Sequence, residues 1–138
     1  MKTMESPISD ILFDLGQVLV PFDRGIGLQR LRPHLPPKQA RLLDEDQAAF
    51  LEQFDEPAIA LEKGEIEFDL FRLVVESILG VRIAGEDFRM IWCDIFRLDD
   101  AMVDLGESLA RRYGTWLVSN TSREHYEWII GKFPRIVF

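Results

Sequence analysis

Two polar residues follow short apolar runs that are typical of buried strands, and their types suit nucleophilic chemistry. Asp14 comes directly after residues 11–13, and Ser119 follows residues 115–118. A carboxylate can form a covalent intermediate with a substrate, although an Asp after a strand is more often a turn residue. A Ser before a helix is more often a cap. Because ligands bind outside the carboxyl ends of parallel strands, the two residues together predict a site at one sheet edge.

The segment between these two residues is predicted to be helical, and the pattern around it indicates a parallel sheet. Apolar residues recur at helical spacing over residues 68–79, and Gly80 follows as a helix-ending glycine. After residue 98 the pattern predicts a helix, a strand, a helix and a last strand at residues 135–138. This order is typical of a parallel α/β sheet that carries an inserted helical cap. We predict a partial α/β core at residues 1–21 and 98–138, and a helical cap at residues 22–97.

Local signals place helix starts on both sides of the second strand. Asp99 and Asp100 are expected to cap a helix, since Asp is favoured at that position. Thr121 and Glu124 have the spacing of a capping box, so the following helix should begin at about Ser122. Trp116 belongs to the apolar face of the predicted second strand, and we expect it in the core.

Composition narrows the possible partners and location. The 138 residues include 16 basic and 24 acidic side chains, for a net charge of −8. An acidic protein is repelled by a phosphate backbone, so nucleic acid is not the expected partner. No apolar run approaches the roughly 18 residues that a membrane span needs, so we expect no membrane contact and a cytoplasmic location. The single cysteine, Cys93, excludes an internal disulfide, and we expect a buried thiol.

Two stretches resemble motifs of the haloacid-dehalogenase-like (HAD-like) hydrolases. Residues 11–20, around Asp14, read ILFDLGQVLV and resemble the first motif; residues 116–121 read WLVSNT and resemble the second. Gly16, together with a Ser-Asn-Thr-x-x-x-His pattern that ends at His125, resembles the subgroup that includes bacterial α-D-glucose-1-phosphate phosphatase. The resemblance covers nearly the whole chain. It implies a HAD-like Rossmann-type parallel sheet, incomplete here, with an inserted helical cap.

The resemblance also implies a reaction and a set of site residues. The expected enzyme is a Mg²⁺-dependent phosphatase of small phosphomonoesters, with sugar phosphates favoured, that works through an aspartyl-phosphate. Asp14 would be the nucleophile, Ser119 would assist at the phosphate, and Mg²⁺ would bind the Asp14 side chain and the Gly16 backbone carbonyl. The residues implied in phosphate or substrate binding are Asn120, Thr121 and His125.

The sequence departs from the family pattern in two ways. Most phosphatases of the family carry a second Asp where Gly16 stands, and Asp23 is a candidate replacement, although we favour a hinge role for it. The family's later lysine and acidic pair find no match, since Lys132 precedes Pro134 at the end of a helix and Asp99 opens one. We therefore interpret the chain as C-terminally truncated, with an incomplete Mg²⁺ site and little activity of its own.

Two alternatives remain open at this stage. A 2-haloacid dehalogenase also uses an Asp nucleophile but attacks carbon without a metal; the sequence after Asp14 fits it less well, because dehalogenases usually carry an aromatic residue and then Gly-Thr there. The other alternative is an inactive, self-associating fragment. In it, the strand at residues 11–13 would leave an unpaired edge, which could pair with a second copy to form a homodimer.

Overall fold

The computed structural model describes residues 7–136, and its strands and helices follow the predicted order as far as the last α-helix. A short strand precedes six helices, and a helix, a second strand and a helix then follow. The elements are β1 (Asp10–Asp14), α1 (Arg24–Leu31), α2 (Pro37–Glu45), α3 (Gln47–Glu52), α4 (Asp55–Glu62), α5 (Phe68–Leu79), α6 (Gly85–Cys93), α7 (Asp100–Ala110), β2 (Gly114–Val118) and α8 (Arg123–Lys132). The predicted α/β fold with a helical insertion is therefore confirmed.

Helix α5 shows why the helical insertion could be predicted from the sequence. Its buried residues are Phe68, Phe71, Val75 and Leu79, which lie three or four positions apart and so share one face. Gly80 ends the helix in the left-handed conformation, at φ 69°, where a side chain would be strained. Both the face and the stop were predicted correctly.

Capping residues set the starts of α7 and α8. The Asp99 carboxylate accepts a hydrogen bond from the Met102 amide at 3.0 Å, so the predicted Asp cap of α7 is confirmed. At α8 the capping side chain is Ser122, whose Oγ accepts from the His125 amide at 3.2 Å. The predicted start was correct to within one residue, but the choice of Thr121 as cap was wrong. Ser122 lies three residues before the amide that it caps, which is one of the two spacings typical of this interaction.

The two strands pair in parallel. Their register runs from Asp10 beside Gly114 to Asp14 beside Val118, and the Gly114 amide donates to the Ser9 carbonyl at 2.8 Å. Trp116 donates its indole N–H to the Asp10 carboxylate at 2.8 Å. A Cβ atom at Gly114 would collide with that same carboxylate, so the Asp10 side chain would have to move to admit a larger residue. These contacts fix one register for the pair.

One face of this pair is exposed, which corrects the prediction of two buried strands. Leu12 is 65% exposed, Trp116 62% and Val118 53%, whereas Phe13 on the opposite face is buried. Alternate residues of a strand point to opposite faces, so these three apolar side chains share one side of the sheet. The expectation that Trp116 lies in the core was wrong, because solvent rather than another element covers much of this side.

The predicted last strand is also corrected where the structure describes it. Pro134–Ile136 forms a 3-10 helix, and Val137 and Phe138 lie outside the described residues. Pro134 has no N–H to donate to a ladder. Arg135 instead donates to Asp100 at 3.0 Å and to Asp104 at 2.6 Å, which binds this turn to α7.

The chain divides into two compact units, each with its own apolar core. The first comprises residues 7–22, 96–119 and 129–136, and its core includes Leu19 and Val103. The second comprises residues 23–95 and 120–128, with Phe50 and Phe71 in its core. The cap and core bounds predicted from sequence stay a prediction. No helix between residues 7 and 136 is long and apolar enough to cross a membrane.

Candidate functional site

The first unit brings Asp14 and Ser119 to the same edge of the sheet. Asp14 is the last residue of β1 and lies beside Val118, the last residue of β2; Ser119 is the next residue. Asp14 is exposed and Ser119 is partly exposed, so both can be reached from solvent. This is the carboxyl end of a parallel pair, where ligands bind in open α/β sheets.

A tight turn follows Asp14 and holds Gly16. The amides of Leu19 and Val20 both donate to the Leu15 carbonyl, at 3.1 and 2.9 Å, and all three side chains are buried. Gln17 adopts a left-handed conformation with φ 60°, which is uncommon for a residue with a side chain. Its side-chain amide donates to the Phe22 carbonyl at 3.2 Å. Sequence reasoning missed Gln17, since nothing in its type signals a positive φ.

Gly16 lies two residues after Asp14 and provides no acidic side chain. A Cβ atom there would meet only the Phe22 ring, at 3.4 Å, which is ordinary van der Waals contact. The turn therefore does not exclude a larger residue by sterics. The oxygen donors available at the predicted magnesium positions are the Asp14 carboxylate and the Gly16 carbonyl. Within residues 7–136, no group of three or more His, Cys, Asp or Glu could hold a metal ion.

The remaining predicted site residues belong to the second unit. Asn120 is exposed and Thr121 partly exposed, and they directly precede the Ser122 cap of α8. The Nε2 atom of His125 lies 2.8 Å from the Trp92 carbonyl oxygen. Its pKa is lowered, mainly by burial and further by the positive charge of Arg24, and the hydrogen bond to Trp92 opposes that shift.

Two other candidate groups, Asp23 and Cys93, have structural tasks. The Asp23 carboxylate accepts from the Gly25 amide at 2.8 Å, so it caps α1. Cys93 is completely buried as expected, and burial raises the pKa of its thiol to about 12, which keeps it protonated at neutral pH. Glu124 is also buried, and its Oε2 atom has no hydrogen-bond partner. Glu124 directly precedes His125 in the chain, and the sequence pattern gave no sign of that burial.

Comparison with known proteins places the fold. No protein-family model matches this chain, and no curated protein matches it. A HAD family enzyme from Bacteroides thetaiotaomicron superimposes with a TM-score of 0.77 at 24% identity, over 96% of this chain and 64% of that one. Its complex with magnesium and inorganic phosphate gives 0.70 at 24% identity, over 91% and 59%. A predicted HAD-like family hydrolase from Porphyromonas gingivalis gives 0.63 at 22% identity, over 94% and 58%.

These similarities establish the fold and leave the reaction open. The chain has the HAD-like α/β fold, with a parallel sheet and an inserted set of helices. At the same time it spans only 58–64% of the length of the solved structures that it resembles.

Proposed function

We propose that this chain carries the nucleophile of a HAD-like hydrolase, a Mg²⁺-dependent phosphatase of small phosphomonoesters. The observation that carries the proposal is the placement of Asp14 and Ser119 at one carboxyl edge of a sheet with the HAD-like fold. The Bacteroides enzyme, with the same fold, has been crystallised with magnesium and inorganic phosphate. Sugar phosphates are the favoured substrates because of the motif resemblance to the glucose-1-phosphate phosphatase subgroup.

In the proposed reaction the Asp14 carboxylate attacks phosphorus and the ester P–O bond breaks, which leaves an aspartyl-phosphate. Water then cleaves this intermediate, releases phosphate and regenerates the carboxylate. Ser119 would donate its hydroxyl hydrogen to a phosphate oxygen, and Asn120 and Thr121 would contact the phosphate near the start of α8. Since Gly16 offers no acid, the proton for the departing alcohol would come from water or from the substrate.

The donors at the proposed magnesium position have the right chemistry for this ion. Mg²⁺ prefers oxygen ligands, and it commonly binds one or two carboxylates while keeping several waters and a substrate phosphate. The Asp14 carboxylate and the Gly16 carbonyl would hold it. When bound, Mg²⁺ would neutralise charge between the carboxylate and the phosphate. The rest of the molecule opposes phosphate binding, since its net charge is −8.

The proposal predicts that Asp14→Asn abolishes hydrolysis of p-nitrophenyl phosphate in the presence of Mg²⁺. Asn keeps the shape of the side chain but cannot form the acyl-phosphate, so whatever activity the chain shows should fall to the uncatalysed background. Asp10→Asn is the matched control, because Asp10 lies on the same exposed face at the other end of β1. Phosphatase turnover retained in Asp14→Asn would exclude the aspartyl-phosphate mechanism. Hydrolysis of a 2-haloacid that survives removal of metal would favour the dehalogenase alternative.

Self-association is a second proposed property, and the exposed face of the sheet favours it. Leu12, Trp116 and Val118 present contiguous apolar surface, which is a common feature of protein–protein contacts. We propose that a second copy covers this face, which would make a homodimer. The assignment of residues 22–97 as a cap, and a cytoplasmic location, are likewise proposals that rest on the sequence.

A further inference from the structure

The side chain of His125 connects the segment at residues 120–128 to helix α6. Its Nε2 atom lies 2.8 Å from the Trp92 carbonyl oxygen, and its ring stacks on the Trp92 indole with centroids 5.3 Å apart and planes at 14°. The Trp92 ring lies in turn 4.6 Å from the ring of Phe71, which is fully buried. His125 is therefore tied to the apolar core of the second unit.

The contact with Trp92 determines which ring nitrogen carries the hydrogen. A carbonyl oxygen can only accept a hydrogen bond, so Nε2 of His125 must be the donor. This N–H group is thus already used within the protein. Burial disfavours the charged imidazolium, which leaves a neutral ring at neutral pH. A neutral ring with its Nε2–H engaged is poorly suited to attract a phosphate dianion.

The backbone of His125 takes part in the start of α8. Its amide donates to Ser122 Oγ at 3.2 Å, and the amide of Tyr126 donates to the Ser122 carbonyl at 3.0 Å. Ser122 is only 1% exposed, and it directly follows Asn120 and Thr121 in the chain. The first turn of α8 is therefore held by its cap on one side and by the His125–Trp92 contact on the other.

We propose that His125 is a positioning residue that fixes Asn120 and Thr121 by fastening the first turn of α8 to the Trp92 carbonyl. The inference rests on the proposed function, since it takes these two residues as part of the phosphate-binding segment. It gives His125 a different task from direct contact with the substrate. The histidine preorganises the segment at residues 120–121, which reduces the conformational entropy that the segment would lose when phosphate binds.

The test compares His125→Phe, which keeps an aromatic ring but removes the donor, with His125→Gln, which keeps an N–H donor. Hydrogen exchange is measured at the amides of residues 125 and 126, which both bond to Ser122. We expect exchange to be about two- to tenfold faster in His125→Phe, as for the loss of one ordinary hydrogen bond. His125→Gln should restore most of the protection. Tyr126→Phe, at an exposed neighbour on the same helix, should leave exchange unchanged.

A second measurement separates this inference from the proposed function. The KM for p-nitrophenyl phosphate with Mg²⁺ should rise in His125→Phe and recover in His125→Gln. Unchanged exchange in His125→Phe would overturn the positioning role, and a raised KM with unchanged exchange would indicate a direct ligand instead. Faster exchange in His125→Phe, together with a wild-type protein that hydrolyses no ester, would support the positioning role and count against the proposed reaction.

Discussion

At the scale of single residues, the hydrogen-bond partners of a side chain distinguish a catalytic role from a structural one better than its residue type does. Asp23 and Asp99 are the same residue type as Asp14, yet both carboxylates accept backbone N–H groups and cap helices. Asp10 accepts from Ser9 at 2.6 Å and from Trp116 at 2.8 Å, and these bonds lower its pKa. Asp14 alone of these four lies at the carboxyl edge beside Ser119, which is why the proposal assigns the nucleophile to it.

The lowered pKa of His125 predicts a specific dependence of stability on pH. The ordinary value is 6.5, and the folded value lies below it. Between the two values the unfolded chain binds more protons than the folded chain, so the free energy of unfolding falls as pH decreases. This contribution is complete above about pH 6.5 and is lost progressively below it, with a slope of at most about 1.4 kcal/mol per pH unit.

Urea unfolding between pH 7.5 and pH 5 measures this dependence. His125→Gln removes the titrating group, so its stability should vary less over this range than that of the wild type. The bonds that lower the Asp10 pKa matter only at lower pH, near and below its ordinary value of 3.8, and so do not interfere. Equal slopes in the two proteins would show that His125 does not titrate differently in the folded state.

At the scale of elements, a single residue, Gly27, allows helices α1 and α6 to pack closely. A Cβ atom at Gly27 would lie 2.5 Å from the backbone oxygen of Ile91 and 3.4 Å from the Ile95 side chain. The two helix backbones approach each other here because Gly27 has no side chain. Arg30 strengthens the same contact, since it donates to the Asp94 carboxylate at 2.9 Å and to the Asp94 carbonyl at 2.9 Å.

Gly27→Ala should therefore destabilise the protein, by roughly 1–3 kcal/mol, because the helices must separate to admit a methyl group. Gly131→Ala in α8 is the matched control, since nothing lies within 4 Å of the added Cβ. There the better helix propensity of Ala should be neutral or should add up to about 1 kcal/mol. Chemical denaturation followed by circular dichroism compares the two. A Gly27→Ala protein as stable as wild type would mean that the helices shift at no cost.

At the scale of the whole molecule, surface exposure is uneven. The second unit buries aromatic side chains from several helices around Phe71 and Phe88. In the first unit, one side of the two-stranded sheet is apolar and exposed, while the other packs against α7 and α8 residues such as Val103 and Ile129. A sheet with one uncovered apolar face is a favourable surface for association.

We expect the chain to associate at micromolar concentration, and a pair of lysines on the exposed face to prevent it. Leu12→Lys combined with Val118→Lys adds two charges whose burial in an interface would be costly. Ile59→Lys is the control, since Ile59 is 50% exposed on α4, which belongs to the second unit. Light scattering coupled to gel filtration should give a mass above one chain for the wild type and for Ile59→Lys, and a monomer for the double variant. A monomeric wild type would refute the association.

The limits of α5 and the start of α7 were predictable because the interactions that set them are local. The apolar spacing of α5, the glycine that ends it and the Asp99 cap all act between residues within about four positions. The placement of Asp14 and Ser119 at strand ends followed from two short apolar runs and the motifs that contain them. The sequence by itself thus determined the fold class, the element order as far as α8 and the two residues at the sheet edge.

Burial and side-chain partners were decided by the tertiary structure, since they depend on segments far apart in the chain. The apolar composition of residues 11–13 and 115–118 predicts buried strands, but Leu12 and Trp116 lie on a face that is exposed to solvent. The partner of His125 is Trp92, 33 positions away, and no local pattern specifies such a contact. Local sequence sets which backbone conformation a segment adopts, whereas the packing of distant segments sets what each side chain touches, and therefore which polar residues remain available for chemistry.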